Sequence, residues 1–168
     1  ILIGGYNEQV DISFFTLAFN SETSADFGDL SASIGTMHMT GIDHATRGVF
    51  SGARISRDSA TTTTNIMEYI TIGSAGNATD FGNLSVARGA AEGVSSTTRS
   101  VFCGGGTASV GALTSSTAGT EVNVMDYVTT GTTGNATDFG DLITAANLFN
   151  TASSGVVGIT TSGIFNIA

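Results

Sequence analysis

The sequence predicts an all-β protein, a single repeat domain spanning residues 1–168 and built from three repeats of about 55 residues. Three observations support this prediction. An eight-residue string recurs along the chain, a short stretch rich in β-branched and aromatic residues precedes each copy, and no segment has a sustained helical period. The chain is 40% hydrophobic, which is enough to build a core, and small polar residues that favour turns separate the apolar stretches.

The recurrent string is the clearest element of each repeat. It reads Asn-Ala-Thr-Asp-Phe-Gly-Asn-Leu at 77–84 and Asn-Ala-Thr-Asp-Phe-Gly-Asp-Leu at 135–142, and a weaker copy runs over 24–30. We interpret each Asp-Phe-Gly as a turn whose glycine takes a positive φ and whose phenylalanine fills the core. The same position in every repeat should therefore be buried, namely Phe27, Phe81 and Phe139.

A strand is predicted before each string. The three stretches are Ile12-Ser13-Phe14-Phe15-Thr16-Leu17, Met67-Glu68-Tyr69-Ile70-Thr71-Ile72 and Met125-Asp126-Tyr127-Val128-Thr129-Thr130. Each has the β-branched and aromatic composition of a strand and leads into turn-forming residues. The spacing from its central aromatic residue to the following phenylalanine is 12 or 13 residues, so the two elements repeat together.

An apolar pair that runs into glycine forms the third element. Its copies are Leu2-Ile3-Gly4-Gly5, Phe50-Ser51-Gly52-Ala53 and Phe102-Cys103-Gly104-Gly105, and a degenerate fourth is Ile164-Phe165-Asn166-Ile167. We predict that each pair is a short strand ended by glycine. Ser85–Arg88 and Leu142–Ala145 are candidates for one further strand per repeat.

Three or four short strands per repeat match the size of a β-propeller blade. The units are approximately 1–47, 48–99 and 100–168. A propeller contains about four to eight blades, so three units predict an incomplete propeller that other chains, or sequence beyond these residues, complete. The chain opens on residues typical of a strand interior and has no initiating methionine, which predicts a fragment of a longer polypeptide.

Charge excludes some classes of function. Five arginines and no lysine stand against 14 acidic residues, giving a formal charge of −9. Phosphates would be repelled, so we expect no nucleic-acid partner. No stretch approaches the roughly 20 apolar residues of a membrane span, so we expect no membrane insertion.

The order of these elements resembles the kelch motif, in which a glycine doublet closes one strand, a tyrosine lies on the next, and a tryptophan, replaced here by phenylalanine, follows before a segment that often ends in arginine. Gly104 and Gly105 match the doublet, and Arg88 matches the terminal arginine. The aromatic positions match at Tyr69, Tyr127, Phe81 and Phe139. The resemblance implies blades of a kelch-like β-propeller.

The amino-acid sequences of the repeats are also similar to kelch-like repeats in structural proteins of tailed bacteriophages, notably cyanobacterial and marine phages. The strings that carry this resemblance are Arg-Gly-Val-Phe at 47–50, Met-Asp-Tyr-Val-Thr at 125–129 and Gly-Asn-Ala-Thr-Asp-Phe-Gly-Asp-Leu at 134–142. It implies a non-enzymatic virion protein, such as a tail fibre, spike or capsid decoration. Its expected partners are other virion proteins, further copies of itself and a host surface glycan. The alternative is a bacterial secreted or cell-surface carbohydrate-binding propeller.

Two interpretations of the repeated aspartates are open. Asp26, Asp80 and Asp138 could contribute oxygen ligands to a divalent cation, since Ca²⁺ prefers such ligands. Alternatively, each aspartate caps its own turn by accepting backbone N–H groups. Two acidic or amide side chains three residues apart fall short of a six-ligand shell, which favours the structural interpretation.

The remaining reactive residues predict neither catalysis nor a cofactor. His38 and His44 lack a third histidine or a cysteine to complete a transition-metal set. Cys103 lies on a predicted buried strand, where it would pack as a small hydrophobe. Arg47 and Arg99 each precede a Val-Phe strand and could pair with the acidic turn of a neighbouring unit, although the third equivalent position is Ser162.

Overall fold

The computed structural model describes residues 2–3, 10–14, 24–31, 39–52, 54–57, 60–107, 120–147, 151–154, 157–160 and 163–166. These residues form β-strands and connecting turns, with no helix among them. The strands make four open antiparallel sheets and one separate hairpin. The all-β prediction is therefore confirmed.

The sheets follow one another along the chain. The first sheet contains β1 (Leu2–Ile3), β2 (Asp11–Phe14) and β3 (Ala25–Asp29). The second begins with β4 (Thr40–His44) and β5 (Arg47–Ser51). After the hairpin of β6 (Arg54–Arg57) and β7 (Ala60–Thr63), it continues with β8 (Ile66–Thr71) and β9 (Thr79–Asn83). The third contains β10 (Glu92–Ser95), β11 (Arg99–Cys103), β12 (Val124–Thr129) and β13 (Thr137–Asp141). The fourth contains β14 (Thr151–Ser153), β15 (Val157–Thr160) and β16 (Gly163–Asn166).

The second and third sheets are copies of one four-stranded meander. Strands that are consecutive in the sequence pair with each other in antiparallel orientation, apart from the inserted hairpin of β6 and β7. The strand predicted over Met67–Ile72 is β8, and its third-sheet counterpart is β12. The two have the same pattern of buried and exposed side chains, because the same face of each strand meets the core.

Each Asp-Phe-Gly lies inside a bulged strand rather than in a turn. In the second sheet Met67 pairs with Gly82 and Glu68 pairs with Asp80, so Phe81 is the extra residue of a β-bulge. The same shift leaves Phe27 in the first sheet and Phe139 in the third as extra residues. The turn prediction was wrong because a bulge uses the same aspartate, glycine and positive φ as a turn does.

The fourth strand of each meander differs from the prediction. Ser85–Arg88 and Leu142–Ala145 are bends and irregular segments, and the additional strands are β4 and β10, which precede the Val-Phe strands. The second and third sheets thus occupy 40–83 and 92–141, and both begin ahead of the unit starts at 48 and 100 that the sequence predicted. We therefore define a structural unit as one sheet together with the segment that follows it, up to the next sheet. β4 contains Gly41, Asp43 and His44, and this composition gives a weak strand signal.

Two of the three core clusters lie between consecutive sheets. One joins Ile12, Phe27 and Leu30 of the first unit to Ile70 of the second sheet. Another joins the second sheet and its Leu84 to two side chains of the third, Phe102 and Val128. Apolar burial is the main favourable term in folding, so the first and second sheets each depend on the next sheet for part of their core. The third cluster consists of residues of the third unit, namely Val94, Val101, Cys103, Met125 and Leu142, with Tyr127, Phe139 and Ala146 packed against it.

The first strands of successive sheets also meet. β10 lies beside β4 and beside β14. A Cβ atom on Gly93 would clash with the side chain of Ile42, so this approach requires glycine. On the other side, Thr151 Oγ1 donates to Gly93 O at 2.9 Å.

Candidate interfaces between units

The repeated polar contacts of this protein join one unit to the next. The central feature is the Gly-Asn-Ala turn, which is defined as residues 76–78 and 134–136 and lies just before β9 and β13. Each turn contacts the last strand of the preceding sheet along the Phe-Gly edge, which is defined as residues 27–29, 81–83 and 139–141. We call this contact the clamp.

The two clamps have matching geometry. Gly76 N–H donates to Phe27 O at 2.6 Å, and Ala78 N–H donates to Asp29 O at 2.8 Å. The Asn77 side chain completes the set, because its Oδ1 accepts from Asp29 N–H at 3.1 Å.

In the next clamp, Gly134 N–H donates to Phe81 O at 2.7 Å and Ala136 N–H donates to Asn83 O at 2.8 Å. Asn135 Oδ1 accepts from Asn83 N–H at 3.1 Å. The Phe-Gly edges of β3 and β9 therefore each gain three hydrogen bonds from the following unit, and groups that would otherwise lie unpaired at a sheet edge are satisfied.

A glycine is required at the centre of each clamped edge. Gly28 and Gly82 have φ of +145° and +141°, a region that L side chains rarely adopt. A Cβ atom on either would clash with the backbone of the incoming turn, Gly76 or Gly134 respectively. The Asp-Phe-Gly string is thus explained by the contact between units as well as by the local bulge.

Buried carboxylates form a second contact between units. Glu68 and Asp126 occupy the same position in β8 and β12, and both are buried. Glu68 accepts hydrogen bonds from the backbone N–H and the hydroxyl of Ser31 in the preceding unit. Asp126 accepts from Ser85 in the same way, at 3.2 Å from the N–H and 2.7 Å from the hydroxyl. A buried carboxylate needs such partners to offset the loss of its hydration.

Arg88 adds a buried ion pair to the second of these contacts. Its Nη1 lies 2.7 Å from Asp126 Oδ2, and neither side chain is exposed to solvent. Nη2 also donates to Phe102 O at 3.3 Å. The residue that matches the terminal arginine of the kelch motif thus joins the second unit to the third. The charge pattern of the sequence did not reveal this pairing, because 38 residues separate the two partners.

Among the described residues, neither Arg47 nor Arg99 pairs with an acidic side chain. Their guanidinium groups lie over the rings of Tyr69 and Tyr127, at 4.5 Å and 5.1 Å from the ring centroids. Arg47 also donates to Thr130 O at 3.4 Å. The negative face of an aromatic ring attracts a cation at this distance, so these arginines stabilise the tyrosines of their own sheets.

The aromatic positions of the repeat pack as pairs. The pairs are Phe14–Phe27, Tyr69–Phe81 and Tyr127–Phe139, with centroids 5.9, 6.0 and 6.0 Å apart in edge-to-face geometry. Phe27 and Phe81 are buried as expected, but Phe139 is only partly buried. The expectation of equivalent burial is therefore wrong for the third copy.

The glycine doublet has a backbone role. Gly104 and Gly105 have φ of +59° and +105°. A Cβ atom on Gly105 would lie 2.8 Å from Gly89 O, so this position has no room for a side chain. Gly105 N–H donates to Ala146 O and Gly105 O accepts from Val122 N–H, both at about 2.8–2.9 Å. The doublet therefore allows the chain to pass close to two other segments.

The repeated aspartates lie apart from one another. Asp26, Asp80 and Asp138 are exposed and belong to three different sheets. Oδ1 of Asp26 and Oδ1 of Asp138 each accept a hydrogen bond from the glycine N–H two residues on, at 3.0 Å. Across the described parts of the chain, no three His, Cys, Asp or Glu side chains come close enough together to hold a metal ion.

One of the two histidines, His44, lies among the described residues. His38 lies outside the described residues. His44 Nε2 lies 2.6 Å from Thr97 O, a further contact between the second and third units.

Cys103 packs in the core of the third unit. Burial raises the pKa of its thiol to about 12, an effect that nearby Arg88 partly offsets. The thiol therefore stays protonated at neutral pH and is a poor nucleophile. Glu92 pairs with Cys103 across β10 and β11, and burial also raises its pKa.

One surface depression adjoins the second clamp. It has a volume of about 330 Å³ and is lined by the turn that joins β12 to β13, with Tyr127, Thr132 and Asn135 among its polar groups. Hydroxyl, amide and phenol groups in a shallow depression suit a polar ligand such as a sugar.

The comparisons with known proteins identify no family. No protein-family model matches the chain, and no curated protein matches it as a relative. The described residues include no helix long and apolar enough to cross a membrane.

Proposed function

We propose that this protein is a non-enzymatic structural component of a tailed-bacteriophage virion, such as a tail fibre, a spike or a capsid decoration. It acts by assembly with other virion proteins, and it carries loops suited to adhesion to host surface glycans. We further propose that its sheets are successive blades of an incomplete kelch-like propeller. The clamp is the observation that carries this proposal, because it repeats from unit to unit and joins each to the next.

The use of the polar side chains supports a structural role. Glu68, Asp126 and Arg88 have the chemistry of catalytic groups, but they are buried and bonded to neighbouring units. A general acid or base must reach a substrate, which these groups do not. The exposed aspartates lie on separate sheets and do not converge on one cleft.

The sheet packing supports the propeller. The first and second sheets share a core, as do the second and third, and the first strands β4, β10 and β14 lie side by side in sequence order. Radial sheets with adjacent first strands are the arrangement found in propellers.

The location can be tested on purified particles. Antibodies raised against the 168-residue chain should label gradient-purified phage particles at one fixed site, on the tail or on the capsid, and the chain should be present in those particles by mass spectrometry. Absence of the chain from particles, together with its recovery from the medium or surface of uninfected bacteria, would contradict the proposal and favour the alternative.

The alternative is a bacterial secreted or cell-surface carbohydrate-binding propeller. The depression beside Tyr127 favours this alternative, since it supplies a ring and several hydroxyls. A glycan array compares the native chain with Thr132→Val, a substitution outside the clamp. The alternative predicts binding that the valine weakens, together with localisation to uninfected cells.

A further inference from the structure

We propose that the depression beside Tyr127 is a binding site for an acidic sugar, and that Arg99 binds the carboxylate of that sugar. The depression has a volume of about 330 Å³ and is lined by residues of β12, of β13 and of the turn between them. Ligand pockets span roughly 300–1,000 Å³, so this size suits one or two sugar rings. The proposal rests on the glycan adhesion that both functions above include, and it names the class of sugar.

One face of the third sheet forms the floor of the depression. Thr137 of β13 lies opposite Tyr127, and Arg99 of β11 lies opposite Thr129. Side chains of directly opposed residues share a face, as do residues two apart on one strand. Tyr127 and Thr129 are two apart on β12, so all four side chains lie on the same face. Three strands thus bring together a guanidinium, a phenol and two hydroxyls.

The turn between the two strands supplies further polar groups. Thr132 and Thr133 add hydroxyls, which both donate and accept hydrogen bonds. The clamp uses Oδ1 of Asn135, and the two donors on Nδ2 of the same side chain are not part of it. The backbone of the turn is tied to β12, because Thr132 N–H donates to Thr129 O at 3.0 Å. An ordered turn presents these groups with little loss of conformational entropy on binding.

Arg99 supplies the positive charge at this site. Its guanidinium lies over the ring of Tyr127, 5.1 Å from the ring centroid. Stacking uses the flat face of a guanidinium and leaves the N–H groups along its edge able to donate. A carboxylate matches that edge with two parallel hydrogen bonds. The tyrosine ring therefore orients the arginine for a carboxylate before the ligand arrives, which lowers the entropic cost of binding.

The local charge favours an acidic sugar over a neutral or a basic one. The described residues that line the depression are all uncharged, so Arg99 sets the sign of the potential there. Asp138 follows Thr137 along β13, but it lies on the opposite face of the sheet, across from Asp126. The chain as a whole has a formal charge of −9, so attraction of the carboxylate is a short-range effect of Arg99.

The test titrates the ¹⁵N-labelled chain with methyl glucuronide and methyl glucoside, two sugars that differ only at carbon 6. Methyl galacturonide and the methyl glycoside of N-acetylneuraminic acid extend the set of acidic sugars. Binding in a shallow site is expected to be on the order of millimolar, so amide chemical shifts are the readout. The amides of Thr132, Thr133 and Asn135 should shift saturably. At least one acidic sugar should bind about five- to twentyfold more tightly than the glucoside, because the guanidinium binds its carboxylate.

Three variants make the test specific for Arg99. Arg99→Gln should abolish the preference for the acidic sugar, so that it binds no more tightly than the glucoside. Arg99→Lys keeps the charge but not the planar edge, and should retain an intermediate preference. Arg47→Gln is the matched control, because it removes the same charge from the equivalent stack on Tyr69 and should leave the preference intact.

The proposal is overturned if no acidic sugar shifts these amides at tens of millimolar, if acidic and neutral sugars bind alike, or if Arg99→Gln retains the preference. Sodium acetate that binds as tightly as the acidic sugar would also overturn it, since a carboxylate alone would then suffice. None of these results bears on whether the chain is present in purified phage particles. Failure of this inference is therefore distinguishable from failure of the proposed function.

Discussion

Phe81 and Phe139 hold the same position in the repeat, but their surroundings differ. Phe81 is 2% exposed and packs between the second and third sheets, whereas Phe139 is partly exposed. Phe81→Ala should lower the free energy of unfolding by about 3–5 kcal/mol, the usual cost of removing a buried phenylalanine. Phe139→Ala is the matched control and should cost clearly less. Equal losses in urea denaturation would contradict the burial difference.

The environment of Cys103 predicts a protected thiol. Burial keeps it protonated, with a pKa of about 12, and the thiolate is the form that reacts. Native protein should react with a thiol reagent at pH 8 only as fast as it unfolds, whereas protein in denaturant should react at once. Rapid labelling of the native chain would place Cys103 at the surface.

Glu92 should make stability depend on pH. Burial raises its pKa in the folded chain, so the folded state holds the proton more tightly than the unfolded state does. This contribution is fully present below the ordinary glutamate pKa and is lost as pH rises through the raised value. Glu92→Gln should therefore be more stable relative to the native chain at pH 7 than at pH 4. Thermal melts at both values check this, and a constant difference would contradict it.

At the level of the elements, alanine substitutions at two glycines that hold the same position in two sheets separate the effect of the clamp from the effect of backbone strain. Gly82→Ala and Gly140→Ala impose similar strain, since the two residues have φ of +141° and +132°. At Gly82 the new Cβ would also displace the Gly134 turn. We expect Gly82→Ala to destabilise the chain by about 1–3 kcal/mol more, because the three hydrogen bonds of the clamp are lost. Similar losses in both variants would mean that the turn contributes nothing.

The strands that the sequence predicts well are those with continuous β-branched and aromatic residues. β8 and β12 lie where the stretches around Tyr69 and Tyr127 predicted them, and β5 and β11 contain the Val-Phe pairs. β4 and β10 were missed, because glycine and polar residues weaken their periodicity and partners in two sheets stabilise them. The alternation of apolar and polar residues along a strand predicts which face of the strand is buried. It does not predict which neighbouring sheet will supply hydrogen bonds to that strand.

The polar contacts of the candidate interfaces were less predictable. The positions of Asp126 and Arg88 were noted in the repeat, but nothing in their spacing predicts an ion pair across two sheets. Asn77 and Asn135 were visible as repeated residues, and their function depends on an edge strand about 50 residues away. Such contacts are set by the packing of sheets, which sequence periodicity does not encode.

At the scale of the whole molecule, stability should be shared between neighbouring units. Each of the first two inter-unit cores needs two sheets, and each clamp joins the same two sheets again. Units that contact mainly their neighbours behave as a one-dimensional array, in which each interface makes its own contribution to the free energy of unfolding.

The central claim is that the Gly-Asn-Ala turns are part of the contacts between units, and native-state hydrogen exchange tests it most directly. The amides of Gly76, Ala78, Gly134 and Ala136 donate to the preceding sheet. We predict that all four exchange as slowly as the paired amides of β8 and β12, because they open only when neighbouring units separate. Exchange of these four amides at the rate of an unstructured peptide, while β8 and β12 remain protected, would contradict the account.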